Sequence, residues 1–494
     1  MKPKPRHPRL VIAGLKGGSG KTTLSIGLIA AWRKKGLNIV PYKKGPDYID
    51  AGWLSSAAGC SCYNLDPFLI GGEKILSSFR DHFGDADCAV IEGNRGLYDG
   101  MDDAGAYSTA ELSKLLESPL ILIMDCTKVT RTSAAMVLGM QKFDRKVEIR
   151  GVVLNRIAGS RHEKVVKESV ERYCGIPVLG SIPKLKEDLF AERHMGLVPF
   201  HEHPEVERAI SYAAEIAEKY LDLDGIWKIA QEARKLGMRH EVTGQKAGDK
   251  RQKVGDKGLR KNARSEKGGT LSPVVTIGVV RDSAFQFYYP ENFEELEKRG
   301  AKLLEVSALA GKALPDIDAL YIGGGFPETN AIALAKNNAF RQSLKKAVEK
   351  GLPVYAECGG LMYLGKALLL EKRTYPMAGI FPLTFRLEGK PQAHGYTVVE
   401  VSRKNPFYKK GTVLRGHEFH YSKASDLGDK GIPGFSFKMK RGQGITDKKD
   451  GICYKNVLAT YTHLHAYGSP EWADGLFRRA FLYKKEKSEI ADKG

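Results

Sequence analysis

Two stretches of this sequence carry residue types that can do chemistry. The first is "GLKGGSGKTTLSIGL", residues 14–28, which follows the apolar run "RLVIA" and continues into a helical pattern. Strand, glycine loop and helix in that order are the context a phosphate-binding loop requires. Gly17, Gly18 and Gly20 let backbone N–H groups turn towards phosphate oxygens, and the helix N-terminus adds its dipole. Lys21 reaches the β- and γ-phosphates and Thr22 can ligate Mg²⁺, so ATP is the expected ligand. Lys16, Ser19 and Thr23 complete the candidate ATP-binding set. The second stretch is "YAECGGLMYL", residues 355–364, where Cys358 stands between an apolar run and two glycines. A tight turn from strand to helix exposes such a side chain as a nucleophile.

A nucleophilic thiol needs a base. "NVLATYTHLHAYG", residues 456–468, offers His463 and His465, which face the same side if the run is one strand. An oxyanion needs backbone donors. The turn "YIGGGFPE" supplies Gly323, Gly324 and Gly325, and Gly359 follows the thiol. Around the phosphate loop, Asp47 in "KKGPDYID" and Glu92 in "VIEGNRGLYDG" sit where two further strands should end, and both are candidate metal ligands. Asn155 in "VVLNR" ends another and is a candidate for reading adenine or for capping a turn.

These residues need rigid elements to hold them. "RLVIAG" (9–14), "NIVPYKKG" (38–45), "DCAVIEG" (87–93), "SPLILIMD" (118–125), "IRGVVLNR" (149–156) and "IPVLGSIP" (176–183) read as buried strands separated by helices. That alternation predicts a mostly parallel sheet covered on both faces. It resumes with "VVTIGVVRD" (274–282), "DALYIGGG" (318–325) and "LPVYAECGG" (352–360), and "GYTVVEV" (395–401) and "NVLATYTHLHAYG" follow as antiparallel strands. The expectation is two α/β domains, 1–238 and 272–485, joined by a basic linker, 239–271, and followed by a disordered tail, 486–494.

The chain has 494 residues and a net charge of +20. The segment 239–267 holds ten Lys/Arg and four Asp/Glu with almost no large apolar residues, so it reads as a solvated tether and nucleic acid is not an expected partner. The apolar runs are far shorter than the roughly 20 residues a membrane span needs, so no membrane association is expected. Seven cysteines at irregular spacing and a basic start that leads straight into a glycine loop predict a reduced, cytoplasmic protein without a structural metal.

"YIGGGFPE", "YAECGGLMYL", "GHEFHYS" (416–422) and "LATYTHLH" (458–465) together resemble the triad-type glutamine amidotransferase domain of cobyrinate a,c-diamide synthases. The upstream half resembles their ATP-dependent synthetase domain, which is related to dethiobiotin synthetase, and "RDSAFQFYYPEN" (281–292) is also characteristic of that family. The resemblance implies an enzyme, a carbon–nitrogen ligase that uses ATP and glutamine to amidate the a and c acetates of a tetrapyrrole. It implies His463 as the partner of Cys358, and Thr22, Asp47 and Glu92 as Mg²⁺ ligands. His465 stands where many such amidotransferases carry a Glu, and the third member of the triad is left open. Arg281, Tyr288 and Tyr289 are candidates for meeting the macrocycle, with an aromatic core stripe as the alternative, and His417 and His420 are candidates for lining the glutamine or macrocycle pocket or are satisfied structural histidines. The resemblance also covers sirohaem amidases and nickel-sirohydrochlorin diamide synthases, and it leaves a homodimer open. Leu15 replaces the first glycine of the usual phosphate loop, and "KGGSGKT" resembles the loop of partitioning ATPases, so a regulatory ATPase using Lys16 across a dimer is the alternative of another class.

Overall fold

The computed structural model describes residues 7–185, 190, 192–193, 196–236, 274–425 and 434–491. The expected linker, 239–271, lies outside the described residues. The expectation of two α/β domains holds. The first is built on seven strands, all parallel, in the spatial order Tyr63–Leu65, Ile39–Lys44, Cys88–Gly96, Arg9–Gly14, Leu120–Asp125, Ile149–Ile157, Val178–Pro183. Successive residues of the central strand serve opposite faces, as the period of two demands. Leu10 and Ile12 join one apolar cluster with Trp32 and Trp53, while Val11 and Ala13 join the other with Tyr42 and Phe79. The helix Lys21–Lys34 follows the central strand and is buried along most of its length. Its Gly27 meets the helix Val206–Tyr220 so closely that a Cβ there would lie 2.4 Å from Ala213 O.

The second domain contains a ten-stranded mixed sheet. One half is parallel, with Ala301–Val306, Val275–Val280, Ala319–Ile322, Val354–Glu357 and Val457–Thr460 in spatial order. The other half continues antiparallel through Lys449–Tyr454, Phe435–Arg441, Ala393–Val401, Val413–His420 and His463–Leu464. The run 456–468 is therefore not one antiparallel strand. Val457–Thr460 lies parallel to Val354–Glu357, the chain leaves the sheet at Tyr461 and Thr462, and His463–Leu464 pairs at the far edge with Gly416 and His417. Two residues cannot span the strands that lie between these two in an open sheet, so the antiparallel half must curl to bring its edge back to the middle of the sheet. Residues 486–491, expected as part of a tail, belong to the helix Pro470–Ala491.

The two domains pack through specific side chains. Tyr396 donates to Asp66 at 2.6 Å, and Glu294 accepts from Tyr63 at 3.1 Å and pairs with His82 at 2.9 Å. Gly468 approaches Leu69 O so closely that a Cβ would lie 1.9 Å from it. No helix among the described residues is long and apolar enough to cross a membrane.

Gly27 gives a test of the helix packing. Alanine normally stabilises a helix interior by about 1 kcal/mol over glycine. Here the contact with a rigid backbone carbonyl outweighs that gain, and Gly27→Ala should destabilise the domain by about 1–3 kcal/mol. A lowered midpoint in urea at unchanged slope is the expected observation.

Candidate active site

The phosphate loop lies at the carboxyl end of the central strand. Gly18 and Gly20 adopt left-handed backbone angles, φ 69° and 95°. A side chain at Gly20 would also push Asn155 aside, since a Cβ would lie 2.4 Å from its Nδ2. No side chain caps the helix Lys21–Lys34, which leaves its first N–H groups for a ligand. Lys21 is buried, donates to Arg95 O at 2.9 Å, and is held below the usual lysine range by burial and by Lys43. The pocket around the loop is lined by Gly17, Gly18, Gly20, Lys21, Thr22, Thr23, Lys43, Asp50, Glu92 and Asn155 among others.

Three of the candidates here have other employment. Lys16 is exposed with its Nζ 3.9 Å from Asp125, and does not line this pocket. Ser19 is buried and its hydroxyl donates to Lys16 O at 2.9 Å, which braces the loop. Asn155 lines the pocket, but its amide donates to Ser19 O at 2.9 Å and accepts from Arg156 N at 2.9 Å, so it holds the loop and makes the turn.

A buried charge cluster stands beside the loop, and two of its members were not candidates from the sequence. Lys43 Nζ lies 2.6 Å from Asp50 Oδ2 and 2.7 Å from Glu92 Oε1, and Thr22 donates to the same Glu92 oxygen at 2.8 Å. Strand register explains the meeting, because Lys43 and Glu92 are directly paired across neighbouring strands. Burial pushes the Glu92 carboxyl up while Lys43 opposes it. Glu92 Oε2 is buried with no hydrogen-bond partner, beside the Thr22 hydroxyl, which is a donor set a hard cation fits. Asp47 differs from expectation. Its Oδ1 accepts from Asp50 N at 2.9 Å in the first turn of the helix Ile49–Ala58, and it faces a second cavity rather than the nucleotide pocket. Burial, with Asp50 alongside, pushes its carboxyl up to about 7.

Cys358 lies on the elbow expected of it. It follows the strand Val354–Glu357, starts the helix Gly359–Leu364, and holds φ 47°, a strained value for any residue with a Cβ. Its N–H donates to Thr460 O at 2.8 Å, and burial pushes its thiol well above the usual range. The glycine turn packs directly on this elbow. A Cβ on Gly359 would lie 3.0 Å from Gly325 N, and one on Gly324 would lie 2.5 Å from His463 Cε1 and 3.2 Å from its Nε2. So Gly324, Gly325 and Gly359 join the elbow to the His463 ring. Gly323 does not offer its N–H, which donates to Tyr288 Oη at 2.8 Å.

His463 and His465 do not share a role. His463 is stacked on His417 with ring centroids 4.9 Å apart, and its Nδ1 lies 3.4 Å from Glu357 Oε2. His465 is fully buried elsewhere, with Nε2 3.5 Å from Glu291 and Nδ1 accepting from Tyr467 N at 3.2 Å.

The second cavity, about 460 Å³, lies between the domains and is lined by His463, His417, Asp47, Tyr48, Lys44, Arg95, Tyr107, His394, Tyr396 and Arg441, among others. Asn94 and Arg95 line both this cavity and the nucleotide pocket. Of the residues expected to meet a macrocycle, only His417 lines it. Its imidazole is held well below the usual range by burial and by the neighbouring histidines. Tyr289 sits just behind, with its Oη 3.3 Å from His417 Nδ1 and its ring on Tyr48. Tyr288 is spent on Val280 O and Gly323 N. Arg281 is half exposed and paired with Glu305 at 2.6 Å. His420 stacks on Tyr461 and its Nδ1 lies 2.9 Å from Ser422 O.

Lys43→Met tests the charge cluster. It leaves two carboxylates facing each other without a cation, which should cost about 3–5 kcal/mol at neutral pH. A carboxyl whose folded pKa is raised binds its proton more tightly when folded, so the loss should shrink as pH falls through that value. Denaturant titrations of both proteins across pH 5–8 would show the gap narrowing on the acid side.

Residues 10–198 match the CobQ/CobB/MinD/ParA nucleotide binding domain, and residues 276–471 match the CobB/CobQ-like glutamine amidotransferase domain. The chain is 40% identical to a cobyrinate a,c-diamide synthase of Magnetococcus marinus over 96% of this chain and 97% of that protein. It is 39% identical to one of Archaeoglobus fulgidus over 97% and 98%, and 36% identical to one of Listeria monocytogenes over 93% and 96%. With both domains matched and relatives aligned along nearly their whole length, the chain belongs to the cobyrinate a,c-diamide synthase family.

Proposed function

We propose that this protein uses ATP and glutamine to convert the a and c acetate carboxylates of cobyrinate to amides. The observation that carries the reading is the interdomain cavity. It is lined by His463, whose ring meets the glycine turn packed on the cysteine elbow, and by Asn94 and Arg95, which it shares with the nucleotide pocket. A substrate carboxylate in this cavity lies between a source of ammonia and a source of phosphoryl groups. Lys44, Arg95 and Arg441 suit a polycarboxylate, and Tyr107 and Tyr396 suit a flat macrocycle. The substrate identity follows the names of the relatives.

In the glutaminase half, His463 Nε2 takes the Cys358 proton as sulfur attacks the side-chain amide carbon of glutamine. N–H groups around Gly324, Gly325 and Gly359 meet the oxyanion. The carbon–nitrogen bond breaks as His463 returns the proton to nitrogen, leaving ammonia and a thioester. Water then releases glutamate and restores the thiol. In the synthetase half, a substrate carboxylate oxygen takes the γ-phosphoryl group of ATP, giving ADP and an acyl phosphate. Lys21 moves from Arg95 O to the γ-phosphate and neutralises charge there. Ammonia attacks the acyl carbon, phosphate leaves, and the nitrogen loses a proton. Thr22 and Glu92 would hold Mg²⁺, with Asp47 at the adjoining wall, and its charge would be shared with the phosphates when bound. Burial between two domains keeps ammonia from water, where at neutral pH it is mostly protonated and unreactive.

Cys358→Ser should lower glutamine-dependent amidation roughly 10³-fold. Amidation fed by high external ammonia should persist and rise with pH. Full glutamine-dependent turnover in this variant would remove the thiol from the reaction. Lys21→Ala should abolish amidation from either nitrogen source in a folded protein, and near-normal ammonia-dependent turnover would overturn the synthetase assignment. Mass spectrometry of products from cobyrinate, sirohaem and nickel-sirohydrochlorin reads both variants and the parent, and turnover of only the latter two would displace cobyrinate.

A further inference from the structure

We infer that Glu357, the residue immediately before the nucleophile, is the acid that orients His463, and so the third member of the glutaminase triad. This rests on the glutaminase reading above. Glu357 is the last residue of the strand Val354–Glu357 and is fully buried. Its carboxylate is held on two sides by groups outside the reaction. Tyr321 donates to Oε2 at 3.1 Å from the neighbouring strand, and Leu464 N donates to Oε1 at 3.2 Å. The remaining approach belongs to His463, whose Nδ1 lies 3.4 Å from Oε2.

The imidazole needs that contact. His463 Nδ1 is buried and has no hydrogen-bond partner. Its Nε2 lies on the glycine-turn side, 3.2 Å from the position of a Cβ on Gly324. A proton on Nδ1 directed at Glu357 leaves the Nε2 lone pair facing the turn on which the elbow packs, which is the tautomer a base requires. When Nε2 takes the thiol proton, the carboxylate stabilises the charge that forms. A spacing of 3.4 Å without hydrogen-bond alignment is the looseness such contacts show before substrate binds.

The rival for this role is His465, which occupies the position two residues after the base. It is disqualified by placement. The chain leaves the sheet at Tyr461 and Thr462, and His465 turns to a different carboxylate, Glu291, at 3.5 Å. The backbone of the elbow explains why the preceding residue can serve. At the end of a strand successive side chains point to opposite faces, and the φ of 47° at Cys358 turns the chain sharply there. Leu464 N, which holds Glu357, follows His463 directly, so base and acid are fixed to each other through one short stretch of backbone.

The test is a double-mutant cycle in the full chain. Glu357→Gln keeps the shape and removes the charge; its one carbonyl oxygen can still accept from Leu464 N, while the NH₂ that replaces Oε2 can donate to the Tyr321 hydroxyl, which turns to accept. It should lower kcat with glutamine by about 10²-fold or more while KM for glutamine stays within about 3-fold. Ammonia-dependent amidation should be unchanged. A residue acting through His463 has nothing left to act on when that ring is absent, so Glu357→Gln added to His463→Ala should cost no further activity. Glutamine turnover within about 3-fold of the parent, or a full additional loss in the double variant, would overturn the inference. Should Glu357→Gln fail to fold, Tyr321→Phe releases the same oxygen from its anchor. It should lower kcat in the parent and not in the His463→Ala background, and additive losses there would count against it. Cys358→Ser run alongside separates the two failures. If it retains full turnover the glutaminase reading is wrong, whereas an inactive Cys358→Ser with a fully active Glu357→Gln removes Glu357 alone.

Discussion

The two halves of the candidate site meet around one aromatic ring at the domain boundary. Tyr48 belongs to the synthetase half, between Asp47 and the helix that carries Asp50. Its ring lies on Phe287, Tyr289, His417 and His463 of the other half, with centroids 4.6–5.6 Å away. Aromatic pairs at such distances add about 0.5–1.5 kcal/mol each beyond the area they bury. A cluster of four on one ring fixes position as well as affinity. The residue after it starts a helix whose acid holds Lys43, and Lys43 holds Glu92 beside the phosphate loop. Packed side chains and ion pairs thus run without a break from the His463 ring to Thr22 and Glu92 beside the phosphate loop.

Local signatures were legible in the sequence. Strand, glycine loop, lysine, threonine and helix are contiguous, and so is the turn from strand through Cys358 into two glycines, and both stand where expected. Six of the seven parallel strands of the first domain were equally plain, because residues buried on both faces read as continuous apolar runs, whereas the edge strand Tyr63–Leu65 is too short to show such a run and was not legible. What the sequence hid depends on register or on tertiary bends. Lys43 and Glu92 face each other only because their strands are aligned residue for residue. Glu357 looked like an ordinary acid beside a cysteine, since its partner reaches it only after the sheet curls.

The errors share a cause as well. His465 was paired with His463 by assuming a period of two through a segment that leaves the sheet after Thr460. Arg281 and Tyr288 lie in a motif with the aromatic and cationic residues a macrocycle would favour, yet Tyr288 anchors the glycine turn and Arg281 pairs on the surface. Composition cannot distinguish a ring that stacks on substrate from one that holds a loop. The cavity that suits a macrocycle is lined instead by residues scattered along both halves of the chain, Lys44, Arg95, Tyr107, Tyr396 and Arg441.

The path of the chain through the second sheet also orders events during synthesis. The N–H of Cys358 bonds to Thr460 O, and the edge that receives His463 is formed by Gly416 and His417. Cys358 therefore emerges from the ribosome well before the strand that supports it and before His463. Domains fold as units with the N-terminal one first, and pairings between distant segments form late. The phosphate loop, complete within the first domain, is in place before Cys358 and His463 have met. On the function proposed above, a nascent chain acquires its nucleotide site first, and ammonia release waits for the last strand of the second sheet.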